Sequence, residues 1–216
     1  MKRIQVLIIP LLFTWGLVAT AVPTCGQALL LSDFATGKTI IEAGIGDTLD
    51  IAILAELGRL PAAGLSLYVA VPEGPFEIID QNPIDGTLAP FRSGPLFAGG
   101  VEITNCLLPL DPKVGAPANQ RLLHYTTVLG PGTQRSRSGE GLVALFSVIC
   151  RESVSDSQNG IFSSPIHETQ MVMSDGSERL LLHDRGISIS VDIDIDTAVP
   201  SVTWGQVKEE SGPAQD

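Results

Sequence analysis

The chain has 216 residues, 24 acidic against 13 basic, a formal charge of −11, and 44% apolar residues against 17% charged. That length suits one domain, and the apolar content supplies a packed core and excludes broad disorder. The acidic balance, with no basic cluster beyond Arg135 and Arg137 in the body of the chain, argues against a nucleic-acid partner.

Met1-Lys2-Arg3 is a positive start, Ile4–Val18 is largely apolar, and Ala19-Thr20-Ala21 has the small-x-small form of a cleavage site. Residues 1–21 therefore read as a secretory signal peptide, with a cut as late as residue 28 as the alternative. The apolar run is shorter than the roughly 20 residues of a spanning helix, and no second run follows, so the sequence predicts an exported product without a membrane span, secreted or held at the cell surface. Thr24 before Cys25 is a poor lipoprotein signal, and lipidation of Cys25 stays open. Cys106 and Cys150 remain as an even pair, for which a bridge is the expectation in an oxidising compartment and two separate buried thiols the alternative.

From residue 38 the chain alternates apolar and polar residues in twos. Lys38–Glu42 is a weak strand candidate. Leu49, Ile51 and Ile53 form one half-buried strand, and Leu65, Leu67, Val69 and Val71 form another. Phe76–Asp80, Val101–Cys106 and Arg121–Leu129 follow. Leu142–Ile149 is apolar on both faces, the mark of a strand central in its sheet. His167–Met173 and Glu178–Leu182 are weaker, and Ile187, Ile189, Val191, Ile193 and Ile195 alternate with Ser188, Ser190, Asp192, Asp194 and Asp196. Turn signals such as Gly44-Ile45-Gly46-Asp47 and Pro72-Glu73-Gly74-Pro75 separate these runs, and no stretch sustains a helical period. Nine or ten short strands without helices predict an all-β, antiparallel β-sandwich of jelly-roll topology over residues 29–196. Residues 197–216 read as a polar tail containing Trp204.

Catalytic constellations are absent from this pattern. His124, His167 and His183 are isolated, no C-x-x-C or H-E-x-x-H exists, and Gly37-Lys38-Thr39 lacks the earlier glycine of a phosphate loop. No G-x-S-x-G is present. Glu77, Asp80, Glu102 and Asp111 are the carboxylates that could pair in space for glycoside hydrolysis. Asp192, Asp194 and Asp196 would share one strand face and are a weak calcium candidate; Thr197 and Thr203 stand where a calcium loop has Gly and a bidentate acid, so a solvated face is the simpler reading. The expectation is a non-enzyme with no cofactor.

The ordered motifs resemble those of cohesin modules. Gly44-Ile45-Gly46-Asp47-Thr48-Leu49-Asp50-Ile51 is similar to the family's opening strand. Ala63–Pro72 followed by Phe76-Glu77-Ile78-Ile79-Asp80 is similar to its alternating strand, short turn and second strand. Gly139-Glu140-Gly141-Leu142-Val143-Ala144-Leu145-Phe146-Ser147-Val148 and the closing Met171–Gly176 and Gly186–Val191 complete the order, over residues 38–191. The resemblance implies a sandwich of cohesin type that recruits a protein partner, possibly a dockerin module, in extracellular polysaccharide degradation or cell-surface assembly. It places the contact on Gly64–Ala70, where Gly64 and Ser66 stand in place of the Asn and Asp common in type I cohesins. Ser66, Tyr68 and Tyr125 are the partner-binding candidates. Direct polysaccharide binding through Tyr68, Tyr125 and Trp204 is the alternative, as is a structural envelope domain docking through Val199–Lys208.

Overall fold

The computed structural model describes residues 28–83, 86–109, 118–130, 136–162 and 166–192. These form thirteen strands: β1 (Ala28–Asp33), β2 (Ile40–Gly44), β3 (Thr48–Pro72), β4 (Phe76–Ile78), β5 (Phe91–Ser93), β6 (Gly100–Leu107), β7 (Gln120–Leu129), β8 (Arg137–Cys150), β9 (Val154–Phe162), β10 (Gln170–Met173), β11 (Glu178–Leu180), β12 (Leu182–Arg185) and β13 (Ile187–Asp192). A single 3-10 turn, Pro95–Phe97, is the one helical element among the described residues.

The pairing defines two layers that share one strand. The first half of β3 lies between β1 and β8, in antiparallel register with Ile51 opposite Asp33 on one side and Phe146 on the other. Its second half lies between β7 and the pair β9 and β10, with Tyr68 opposite His124 and Phe162, and Ser66 opposite Gln170. The first layer extends through β12 beside β1 and through β4 and β5 beside β8; the second extends through β6 beside β7 and through β13 and β2 beyond β9. Both layers are antiparallel except at two pairings, β1 with β12 and β2 with β13. The sandwich anticipated from period two is thus present, with more strands than expected because β1, β5, β9 and β12 carry no clear alternation.

The two apolar runs at Leu49–Leu54 and Leu65–Val71 belong to one 25-residue strand. Between them the chain bends rather than turns. Gly58 has φ +61°, a left-handed conformation that favours glycine, Pro61 supplies no ladder N–H, and the register against β8 shifts at both Glu56/Gly58 and Gly58/Ala62. Ile51, Ile53, Ala55 and Leu57 before the bend and Leu65, Leu67, Val69 and Val71 after it are all buried, whereas within the bend the parity inverts: Arg59 and Pro61 are exposed, and Leu60 and Ala62 pack on the core.

The other core faces follow the same rule. Phe146 and Val148 on β8, Leu123 and Tyr125 on β7, and Ile187, Ile189 and Val191 on β13 are buried between the layers. β8 is central in its layer, as its two-sided apolarity predicts, flanked by β3 and by β4 and β5. Asn105 ties the layers at one margin: its Oδ1 accepts from Phe91 N–H (3.0 Å) and its Nδ2 donates to the Phe91 carbonyl (2.8 Å).

At Gly64 the second half of β3 comes so close to β7 that a Cβ would sit 2.6 Å from the Thr127 carbonyl and 3.1 Å from Val128 Cα. Both are backbone atoms, so the strands themselves must separate to admit a side chain. Gly64→Ala is expected to cost about 1–3 kcal/mol, read as a lower urea midpoint with an unchanged m-value.

Candidate functional site

The outward face of the second layer is built by the even-numbered residues of β3, because the odd-numbered ones fill the core. Gly64, Ser66, Tyr68 and Ala70 are therefore aligned along it, and register places Val128, Thr126, His124 and Leu122 of β7 beside them. On β6, Cys106 lies opposite His124 and Thr104 opposite Thr126. None of these ten positions is charged, in a chain whose formal charge is −11.

Tyr68 is the centre of the face. His124 stacks on its ring from the β7 side, with centroids 4.2 Å apart and planes within 13°. His167, from the segment leading into β10, packs at 4.9 Å and 47°. The Tyr68 backbone N–H donates to Thr169 Oγ1 (3.0 Å), and Thr169 is fully buried, so the strand is fixed beneath the ring. Ser66 Oγ, Thr126 Oγ1 and His124 Nε2 form a triangle with sides of 3.1, 2.9 and 3.3 Å, which sets the plane of the imidazole. Three exposed hydrophobic residues flank this centre: Val101 and Ile103 on β6 and Ile166 beside His167.

The electrostatics of the face favour neutral groups. Burial raises the Tyr68 hydroxyl pKa, with a smaller contribution from Cys106, and the Ser66 hydrogen bond opposes it. Burial lowers the pKa of His124, and His167 lowers it further. Burial likewise raises that of the Cys106 thiol.

Ser66 and Tyr68 thus lie where the sequence places them. Tyr125 does not. It is opposite Leu67, a core position, and is 1% exposed; its hydroxyl lies 2.7 Å from Ser93 Oγ and also bonds Thr127, while its ring packs against Phe91 at 5.3 Å. The expected bridge between Cys106 and Cys150 is also absent: both are free thiols, Cys106 opposite His124 in the second layer and Cys150 buried opposite Phe76 in the first. Of the calcium candidates, Asp192 is exposed at the end of β13, whereas Asp194 and Asp196 fall outside the described residues, as do residues 1–21, Cys25 and the tail with Trp204. Among the described residues no group of three or more His, Cys, Asp or Glu side chains is arranged to hold a metal ion. No helix among them is long and apolar enough to cross a membrane.

His124 and His167, read from the sequence as isolated, are the principal residues of the face that sequence reasoning passed over. The signal for His124 was available: an outward Tyr68 requires its cross-strand neighbour to point outward too. His167 carried no such signal, since only the fold brings it to Tyr68.

Two layers sharing one bent strand around a packed interior make a β-sandwich. Comparison with solved structures gives the same class. The type II cohesin A11 from Bacteroides cellulosolvens superposes with a TM-score of 0.56 at 10% identity, covering 76% of this chain and 99% of that one. A type II cohesin domain from the cellulosome of Acetivibrio cellulolyticus gives 0.54 at 12%, covering 76% and 95%. A cohesin module from a Clostridium perfringens family 33 glycoside hydrolase gives 0.51 at 8%, covering 77% and 98%. At these identities the likeness is one of fold. No protein-family model matches the chain, and no curated protein matches its sequence.

Two measurements check this geometry. Tyr125→Phe removes the buried hydroxyl's hydrogen bonds with Ser93 and Thr127 and is expected to cost about 1–2 kcal/mol of folding stability, measured by denaturant unfolding, with the outer face unchanged. For His124, the folded state holds the imidazole neutral below the ordinary histidine pKa of about 6.5. As the pH falls through that value the unfolded chain takes up the proton first, so stability declines with acidification until the depressed folded pKa is passed. His124→Gln is expected to flatten that part of a stability profile recorded between pH 7 and pH 4.

Proposed function

We propose that this protein is an exported, non-catalytic docking module that binds another protein through the face centred on Tyr68. The observation that carries the reading is the composition of that face: Tyr68 among nine other uncharged positions, of which Gly64, Ala70 and Leu122 are buried, flanked by the exposed Val101, Ile103 and Ile166, on an otherwise acidic chain. A desolvated aromatic surrounded by uncharged contacts is the arrangement found at the energetic centres of protein interfaces. The cohesin-type fold makes a dockerin module the first partner to test, in extracellular polysaccharide degradation or cell-surface assembly, and the leader at residues 1–21 supports export.

Direct polysaccharide binding has less support. A sugar ring stacks on an open aromatic face, and the Tyr68 ring is flanked by His124 on one side and His167 on the other. Tyr125, the second aromatic of that reading, is buried.

The test is capture from the source organism's secreted proteins with immobilised protein, in calcium and in chelator, followed by mass spectrometry and affinity measurement with the purified partner. The expected partner carries paired D-x-D-x-D-G loops and is lost in chelator, because such loops need calcium to fold. Tyr68→Ala is expected to cost roughly 2 kcal/mol, about thirtyfold in Kd. A dockerin bound equally well by Tyr68→Ala would overturn the assignment of the face, and failure to capture any calcium-dependent protein would overturn the dockerin reading.

A further inference from the structure

A second unpartnered surface lies at the opposite margin of the second layer. There β2 is an edge strand: among the described residues it pairs with β13 alone. The Ser188 N–H donates to the Thr39 carbonyl (2.9 Å) and Ser188 is opposite Ile40. In a parallel ladder that register turns the peptide groups of Ile41 and Ala43 toward β13 and those of Ile40 and Glu42 outward. Beside this edge, between the layers, is a cleft of about 470 Å³ lined by Asp33, Thr36, Lys38, Ile41 and Leu49 together with the edge residues Ile40 and Glu42. Of the six exposed large hydrophobic residues among the described ones, Ile40 lines this cleft, and Phe34 and Ile45 adjoin it in sequence, next to Asp33 and to the end of β2. An open strand edge beside exposed apolar side chains templates further pairing.

We propose that the occupant is the chain's own C-terminal segment, with residues 201–206 added antiparallel to the outer edge of β2 and Trp204 seated in the cleft. The position of the chain's exit supports this. β13 runs parallel to β2 and ends at Asp192, opposite Gly44, so the following residues start at the end of the edge they would cover. Stepping past β2 to its outer side spans two strand spacings, roughly 10 Å, and residues 193–199 reach that far at roughly 3.3 Å each. Pro200 then stands just before the new strand, a position that requires no ladder N–H. With Trp204 opposite Ile41, Val202 lies opposite Ala43, and both tail residues share the inward face with Ile41 and Ala43, which pack against the core. Thr203 and Gly205 then meet the outward peptide groups of Glu42 and Ile40. Glu209 and Glu210 follow toward Lys38, whose ammonium is exposed at the cleft.

The chain has two tryptophans, Trp15 and Trp204, so the full chain carrying Trp15→Phe reports on Trp204 alone. The expected result is indole emission shifted to the blue of the urea-unfolded chain and several-fold weaker acrylamide quenching, both independent of protein concentration. Trp204→Ala in the full chain is expected to speed amide exchange at Ile40 and Glu42 at least tenfold while leaving the β8 core amides protected, which shows that the variant is folded. Emission and quenching equal to those of the unfolded chain would overturn the proposal. Burial that grows with concentration would assign the edge to a second copy instead, and burial without any change in exchange at Ile40 and Glu42 would place Trp204 elsewhere; either result overturns it.

Discussion

Both layers of the sandwich depend on β3. Its 25 residues form one strand that is interior to each sheet, and its odd-numbered side chains line the core on both sides of the bend, from Ile51 to Leu57 and from Leu65 to Val71. A strand this long cannot lie flat in two stacked sheets, so it must change layer, and Gly58 and Pro61 are where it does. The left-handed φ of one and the missing donor of the other are tolerated there because the ladder with β8 is already interrupted. The bend puts Leu60 and Ala62 on the core, and beyond it the odd face returns inward at Leu65, so the even face of the second half is outward and that parity decides which residues the second layer presents.

The outer face follows from the same constraint. Tyr68 is outward because Leu67 and Val69 are inward, and antiparallel register then selects His124 and rejects Tyr125. The close approach of β3 and β7 at Gly64 excludes any side chain there, so the side chains this part of the face presents begin at Ser66 and Thr126. The face is thereby aromatic and neutral, whereas the rest of the chain is acidic.

Most of the fold was legible because half-buried strands write their burial into the sequence with period two. β3, β8 and β13 were readable for that reason, as was the central place of β8, from apolar residues on both faces. The bend in β3 was not, since glycine and proline at Gly58 and Pro61 give the same signal whether a chain turns back or bends on. β9 was invisible because Val154–Phe162 is mostly polar. In β7, Leu122 and Leu123 are both buried, so the strand offers two parities, and the wrong one puts Tyr125 outside. The cysteines illustrate another limit: their number is written in the sequence, but the placement of Cys106 and Cys150 on strands of different layers is a property of the pairing alone.

A shared strand also carries force. The Tyr68 face sits on the second half of β3, while the first half is zipped between β1 and β8 along its length. Tension applied by a bound partner therefore enters the strand that both sheets hold. It loads the flanking ladders in shear, where many hydrogen bonds must break together, instead of peeling an edge strand one bond at a time. In the docking role proposed above, a grip on the strand most deeply anchored in the fold makes the domain resist extension before its contact lets go.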